Sequence, residues 1–172
     1  MTGRIADASL WGAGLDRIEW ARAHMPVTSA LAARLASEGT VAGIRIGVSD
    51  VLEPKTATVA LALAEAGAEV TVTSAGRNTD DAVAAALAHA GLPVYARADA
   101  ERAEDRANAL ALIDHRPQVI VDDGASTIRL AHLERPEVVA EMRGATEQTT
   151  SGVRPLRRMQ ADGALRIPVV AA

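Results

Sequence analysis

Short β-rich runs alternate with helical stretches of ten or more residues along most of this chain, and that alternation restricts the fold more than any other feature. The β-rich runs cover residues 43–49 (GIRIGVS), 69–75 (EVTVTSA), 93–98 (PVYARA), 118–124 (QVIVDDG) and 166–172 (RIPVVAA), with a weaker one at 143–148. Between them, Val59, Ala60, Leu63 and Ala64 share one face of a predicted helix over 56–66. Val83, Ala86, Leu87 and Ala90 do the same over 80–90, with Asn78 or Thr79 as the expected N-cap and Gly91 placed to end the helix. Residues 101–114 and 152–161 also read as helices, and 15–35 as a helical pair interrupted at Pro26. Strands joined by helices of this length require right-handed crossovers and a mostly parallel sheet covered on both faces. The expected fold is therefore α/β: a doubly wound, Rossmann-like sheet with an N-terminal helical layer, forming one domain over residues 1–172.

Composition narrows the function classes. The apolar half of the chain is alanine and aliphatic residues, with no Phe, one Tyr and two Trp, which favours thin, closely packed layers. A net charge of −4 offers no basic patch for phosphate neutralisation, so nucleic acid is not an expected partner. There is no cysteine for disulfides or thiolate metal sites, and His24, His89, His115 and His132 lack metal-ligand spacing. No run has the length of a membrane span and no signal segment opens the chain, so a soluble cytoplasmic protein is expected.

In doubly wound sheets, ligands bind outside the carboxyl ends of the strands, where strand order reverses. Three polar segments fall there: Ser49-Asp50 leading to Glu53 and Lys55, Asp122-Asp123-Gly124, and the run from Thr146 to Ser151. Asp-Gly is a common turn pair and Asp a common cap, yet an acid at a strand end also serves to hold a hydroxyl or accept a proton. Both readings stand for Asp122 and Asp123. The TEQTTSG segment reads as a helix start capped by Thr149 or Ser151, or as a cradle for phosphate or sugar oxygens. Lys55 is the single lysine among seventeen arginines. With Glu53 it is either a solvated surface pair or a compact ammonium kept where a planar guanidinium would not fit. The Gly-Ala-Gly at 12–14 follows no strand and lacks a third glycine, so it is not a dinucleotide loop.

Five segments, at 5–27, 52–70, 78–96, 119–124 (VIVDDG) and 144–159 (GATEQTTSGVRPLRRM), resemble in order the substrate-binding domain of S-adenosylhomocysteine hydrolases. That family splits S-adenosylhomocysteine with bound NAD, through oxidation of the ribose 3′-hydroxyl and elimination at C5′. The resemblance implies a purine nucleoside pocket facing an NAD-binding domain. It implies Asp123 as the active-site acid and Glu53, Lys55, Thr56, Gln148 and Thr149 as further substrate-binding residues. Lys55 would address the purine edge, the Glu-x-Lys form being similar to an archaeal-type branch that handles hypoxanthine as well as adenine. Thr149, Thr150 and Ser151 match hydroxyl residues that touch ribose and NAD.

The chain also departs from that pattern. Val51 stands where the family has a histidine, Gln148 where it has the second of two glutamates, Ser74-Ala75 where it has Cys-Asn, and Ala125-Ser126 replaces Gly-Asp after Asp122-Asp123-Gly124. The family's catalytic lysine and cofactor domain would lie past Ala172. Valine cannot move protons and glutamine cannot titrate. The expectation is a nucleoside-binding subunit of a split, oligomeric enzyme, working with a separate NAD-binding chain. Its reaction would be ribose oxidation followed by elimination, dehydration or hydrolysis at C5′. The alternative is a catalytically inactive nucleoside-binding or regulatory module that docks on a full-length hydrolase.

Overall fold

The computed structural model describes residues 3–172. Six strands form one sheet: β1 (Arg45–Ser49), β2 (Glu69–Thr73), β3 (Val94–Tyr95), β4 (Val119–Asp122), β5 (Gly144–Glu147) and β6 (Val169–Ala171). All neighbours are parallel, in the order β3-β2-β1-β4-β5-β6. This is the doubly wound arrangement expected, with its switch point between β1 and β4. Among the described residues eight α-helices complete it: α1 (Trp11–Ala23), α2 (Pro26–Glu38), α3 (Pro54–Glu65), α4 (Asp81–His89), α5 (Arg102–Asp114), α6 (Ser126–Glu134), α7 (Pro136–Val139) and α8 (Thr150–Ala161).

Two apolar clusters hold the layers together. One joins Ile18 of α1, Ala57 and Ala60 of α3, and Val83 and Leu87 of α4 to the strand residues Ile46, Val48, Val70 and Val72. The other joins Leu112 and Ile113 of α5, Ile128 of α6, Val138 and Val139 of α7 and Leu156 of α8 to Ile120 and Ala145. The small side chains expected from the composition let backbones approach closely. Gly14 of α1 is the extreme case, because a Cβ there would overlap the Ala82 carbonyl of α4. The second glycine of Gly-Ala-Gly is thus a packing residue.

Several sequence expectations shift. Asp80, rather than Asn78 or Thr79, caps α4, its Oδ1 accepting from the Ala82 and Val83 amides at 3.0 and 3.3 Å. The run at 93–98 contributes only a two-residue strand beside β2, at the sheet's edge. The sequence reading predicts neither α6 nor α7. Among the described residues, no helix is long and apolar enough to cross a membrane.

Gly14→Ala forces α1 away from α4. We expect a loss of about 2–3 kcal/mol in urea unfolding, and an unchanged midpoint would show that the contact yields freely.

Candidate functional site

At the β1/β4 boundary the chain leaves the sheet in opposite directions, and three loops meet around the resulting crevice. The loop after β1 is pinned to the loop after β2: the Leu52 amide donates to the Asn78 carbonyl and the Asp80 amide to the Leu52 carbonyl, each at 2.9 Å. Glu53 is extended, and Pro54 opens α3 at the position where its missing N–H costs nothing. Glu53, Lys55 and Thr56 are thereby presented at the first turn of a helix whose start is fixed from two sides.

The loop after β4 is built around an internal anion. Gly124 and Ala125 both take left-handed conformations, with φ of 85° and 55°. Successive N–H groups in such a turn form a concavity for negative charge. Here the side chain of Glu147, fully buried at the end of β5, fills it. Glu147 Oε1 accepts from the Gly124 amide at 3.0 Å, the Thr149 amide at 2.8 Å and the Thr149 hydroxyl at 2.5 Å. Oε2 accepts from the Ala125 amide at 2.7 Å. The Thr149 hydroxyl oxygen also accepts from the amides of Gly124 and Gly152 and from Ser151 Oγ. Of the two capping candidates in TEQTTSG, Thr149 rather than Ser151 is the acceptor at the start of α8. The Gly124, Ala125 and Thr149 amides are turned onto Glu147.

The two aspartates sit in different surroundings. Asp122 is fully buried, and its Oδ2 accepts from the Ile128 amide at 2.8 Å, stabilising the start of α6. Its Oδ1 has no partner among the described residues. Burial above all pushes the Asp122 carboxyl up to about 7, with the neighbouring Glu147 adding to the rise and the Ile128 amide opposing it. Asp123 is half-buried at the rim. Its amide donates to the Ser49 carbonyl at 2.9 Å, tying β1 to β4, while its carboxylate accepts no hydrogen bond among the described residues.

Glu53, Lys55, Thr56 and Gln148 line one cavity of about 650 Å³ at this crevice, together with Asp50, Val51, Val59, Val121 and Met25. Lys55 is mostly exposed and pairs with Glu53 at 3.2 Å. The same two residues also border a groove of about 380 Å³ against Trp20 of α1. Thr149 and Thr150 line a neighbouring cavity of about 340 Å³ with Gln148, Val153, Arg154 and Arg157; Ser151 lines neither. Asp123 stands at the crevice without lining the large cavity. Another cavity, of about 320 Å³, opens at the amino-terminal edge of the strands near Arg45, Glu69 and His115. Ligands of doubly wound sheets bind at the opposite edge.

Sequence reading put Asp50 on the rim but gave it no role; its carboxyl is raised chiefly by burial and further by the negative charges of Asp123 and Glu53. Its place directly after a β-run was the available signal. Sequence reading missed Arg154 and Arg157, which arginine abundance concealed. The second cavity's exposed Thr150 hydroxyl and two guanidiniums, beside the start of α8, suit the phosphate and hydroxyl oxygens of a dinucleotide.

Asp122 gives the fold a pH dependence whose sign is fixed. A carboxyl raised from 3.8 to about 7 makes the folded state bind more protons between those values, so this group's contribution to stability declines as pH rises across that window. We expect the Tm of Asp122→Asn relative to wild type to improve steadily from pH 5 to pH 7.5. Parallel Tm curves would contradict the assignment.

The family model described as S-adenosyl-L-homocysteine hydrolase matches residues 3–136. Among curated proteins, the S-inosyl-L-homocysteine hydrolase of Methanopyrus kandleri is 43% identical over 97% of this chain and 40% of its own length. That of Methanocaldococcus jannaschii is 39% identical over 96% of the chain and 40% of its own length. The adenosylhomocysteinase of Thermotoga maritima is 38% identical over 92% and 39%, respectively. The chain thus spans about two fifths of the length of the curated relatives it matches.

Proposed function

Because the chain belongs to the S-adenosyl-L-homocysteine hydrolase family, we propose that residues 1–172 form one nucleoside-binding domain of a hydrolase- or lyase-type enzyme acting on a purine riboside. The observation that carries this reading is the cavity of about 650 Å³ at the switch point, where Glu53, Lys55, Thr56 and Gln148 converge. Its mixed lining suits a flat heterocycle bearing a polar sugar: Val51, Val59, Val121 and Met25 provide apolar surface, and the named polar groups offer both donors and acceptors.

Lys55 supplies only donors and Glu53 only acceptors. Side by side they complement the purine edge, where a ring nitrogen and the 6-substituent alternate as donor and acceptor. Relatives named S-inosyl-L-homocysteine hydrolase favour a hypoxanthine base, and the adenosylhomocysteinases keep adenine as the competitor. Asp123 is the acid toward the ribose, its carboxylate uncommitted to the fold. When bound, NAD would supply oxidation of a ribose hydroxyl. Thr150, Arg154 and Arg157 would hold its near edge, with Ser151 beside the cavity and Thr149 acting from beneath by capping α8. The unit that binds the rest of the cofactor is supplied from outside these residues, and a separate chain in a hetero-oligomer is the arrangement proposed.

Val51 and Gln148 support a second reading, in which the domain binds a nucleoside without chemistry, as a regulatory module of a full-length hydrolase. Native mass spectrometry of the purified protein separates the two. Bound NAD with a second polypeptide, followed by turnover of a purine riboside, supports the enzyme; tight nucleoside binding without turnover under any added partner supports the module.

Lys55→Ala is expected to weaken inosine and adenosine binding about tenfold, the scale of one charge-assisted hydrogen bond, with Tm unchanged. Equal affinity would remove the base-recognition role. Asp123→Asn is expected to abolish turnover by the natively purified protein with little change in Tm, since no hydrogen bond among the described residues uses its carboxylate. A large drop in Tm would instead make it a turn residue.

A further inference from the structure

Asp50 follows the last residue of β1 and lines the large cavity. Its Oδ1 accepts from the Val51 amide at 2.6 Å and from Gln148 Nε2 at 2.7 Å. Its Oδ2 accepts no hydrogen bond among the described residues. A carboxylate gripped by two donors on one oxygen has its orientation fixed, and the lone pairs of the other oxygen remain for a ligand. The two donors come from opposite sides of the crevice, one from the loop after β1 and one from the loop after β5, so the carboxylate bridges the mouth of the switch point.

The charge around it selects the kind of ligand. Asp50, Glu53 and Asp123 gather at the cavity, and the nearby cation, Lys55, is paired with Glu53. Negative charge at this density disfavours an anionic group and favours neutral donors. Burial and the adjacent acids hold the Asp50 carboxyl above the ordinary range, which makes it a stronger hydrogen-bond acceptor once ionised. Gln148 is matched to this arrangement. Its amide can donate to Asp50, whereas a glutamate at 148 would set a second carboxylate against it at hydrogen-bond distance.

Resting on the nucleoside reading above, we infer that Asp50 is a further ligand-binding residue whose free oxygen accepts a hydrogen bond from a ribose hydroxyl, with Gln148 as the positioning residue that holds it. The Asp50–Gln148 pair thus recognises the sugar, while Glu53 and Lys55 recognise the base.

The test is a cycle between protein and ligand hydroxyl. The natively purified protein, with any NAD-binding partner it carries, is titrated calorimetrically with inosine, adenosine and their 2′-deoxy and 3′-deoxy forms. Wild type should bind at least one deoxy form about tenfold or more weakly than its parent riboside, as expected for a hydrogen bond to a charged group. Asp50→Asn places an NH2 group at the free position and should bind the parent and that deoxy form within about twofold of each other. Gln148→Ala, an exposed substitution expected to leave Tm unchanged, should lose part of the same discrimination. Discrimination retained in Asp50→Asn, or absent from wild type, overturns the inference; full discrimination in Gln148→Ala overturns the positioning role. If wild type binds neither inosine nor adenosine, the nucleoside reading itself fails, and this inference fails with it.

Discussion

The rim of this sheet depends on the Glu147 carboxylate. Burying an acid is expensive unless hydrogen bonds replace the lost water. Glu147 receives three backbone amides and one hydroxyl, gathered from the loop after β4 and the N-cap of α8. In return, the left-handed pair Gly124-Ala125 is held in a conformation that alanine resists. Gly152 makes room, since a Cβ there would overlap the carboxylate. Two loops that would otherwise move independently become one rigid edge, with Asp123 on one side and Gln148 on the other.

Asp122 shows what the clamp costs. It pairs with Glu147 across the β4/β5 register, so two acids lie side by side in the interior. Glu147 takes the donors of the left-handed turn, and Asp122 keeps the Ile128 amide, with weaker help from Ser49 and Thr127. With desolvation dominant and few donors to offset it, Asp122 holds its proton to near neutrality. The same topology sends strand-end residues of β1 outward: after Ser49, whose buried hydroxyl pairs with Thr127 at 2.6 Å, the chain turns to present Asp50, Glu53 and Lys55 to the crevice.

Much of this was legible because periodicity reports burial. Apolar spacing marks the layers, and the strand-end rule puts 49–55, 122–124 and 146–151 on one edge. Alternation along β4 also carried a clue to the aspartates: Ile120 and Asp122 are buried while Val121 and Asp123 are half-buried, so the inward-facing acid was the structural one. Helix α6 escaped because its N-cap position is Ala125, a residue with no capping side chain, in a left-handed conformation. The role of Glu147 could not be read locally, since its partners Gly124 and Ala125 lie more than twenty positions away. Nor could the bond between Gln148 and Asp50, which joins residues 98 positions apart.

In the proposed function, base recognition falls on one loop and sugar recognition across the crevice, both on an edge that Glu147 stiffens. Amide hydrogen exchange of the natively purified protein, with and without saturating inosine, addresses that claim directly. Protection is expected to rise in two separate stretches, 50–56 and 122–126, while amides at the amino-terminal edge of the strands exchange as before. Protection confined to that opposite edge, or no change anywhere despite measured binding, would contradict it.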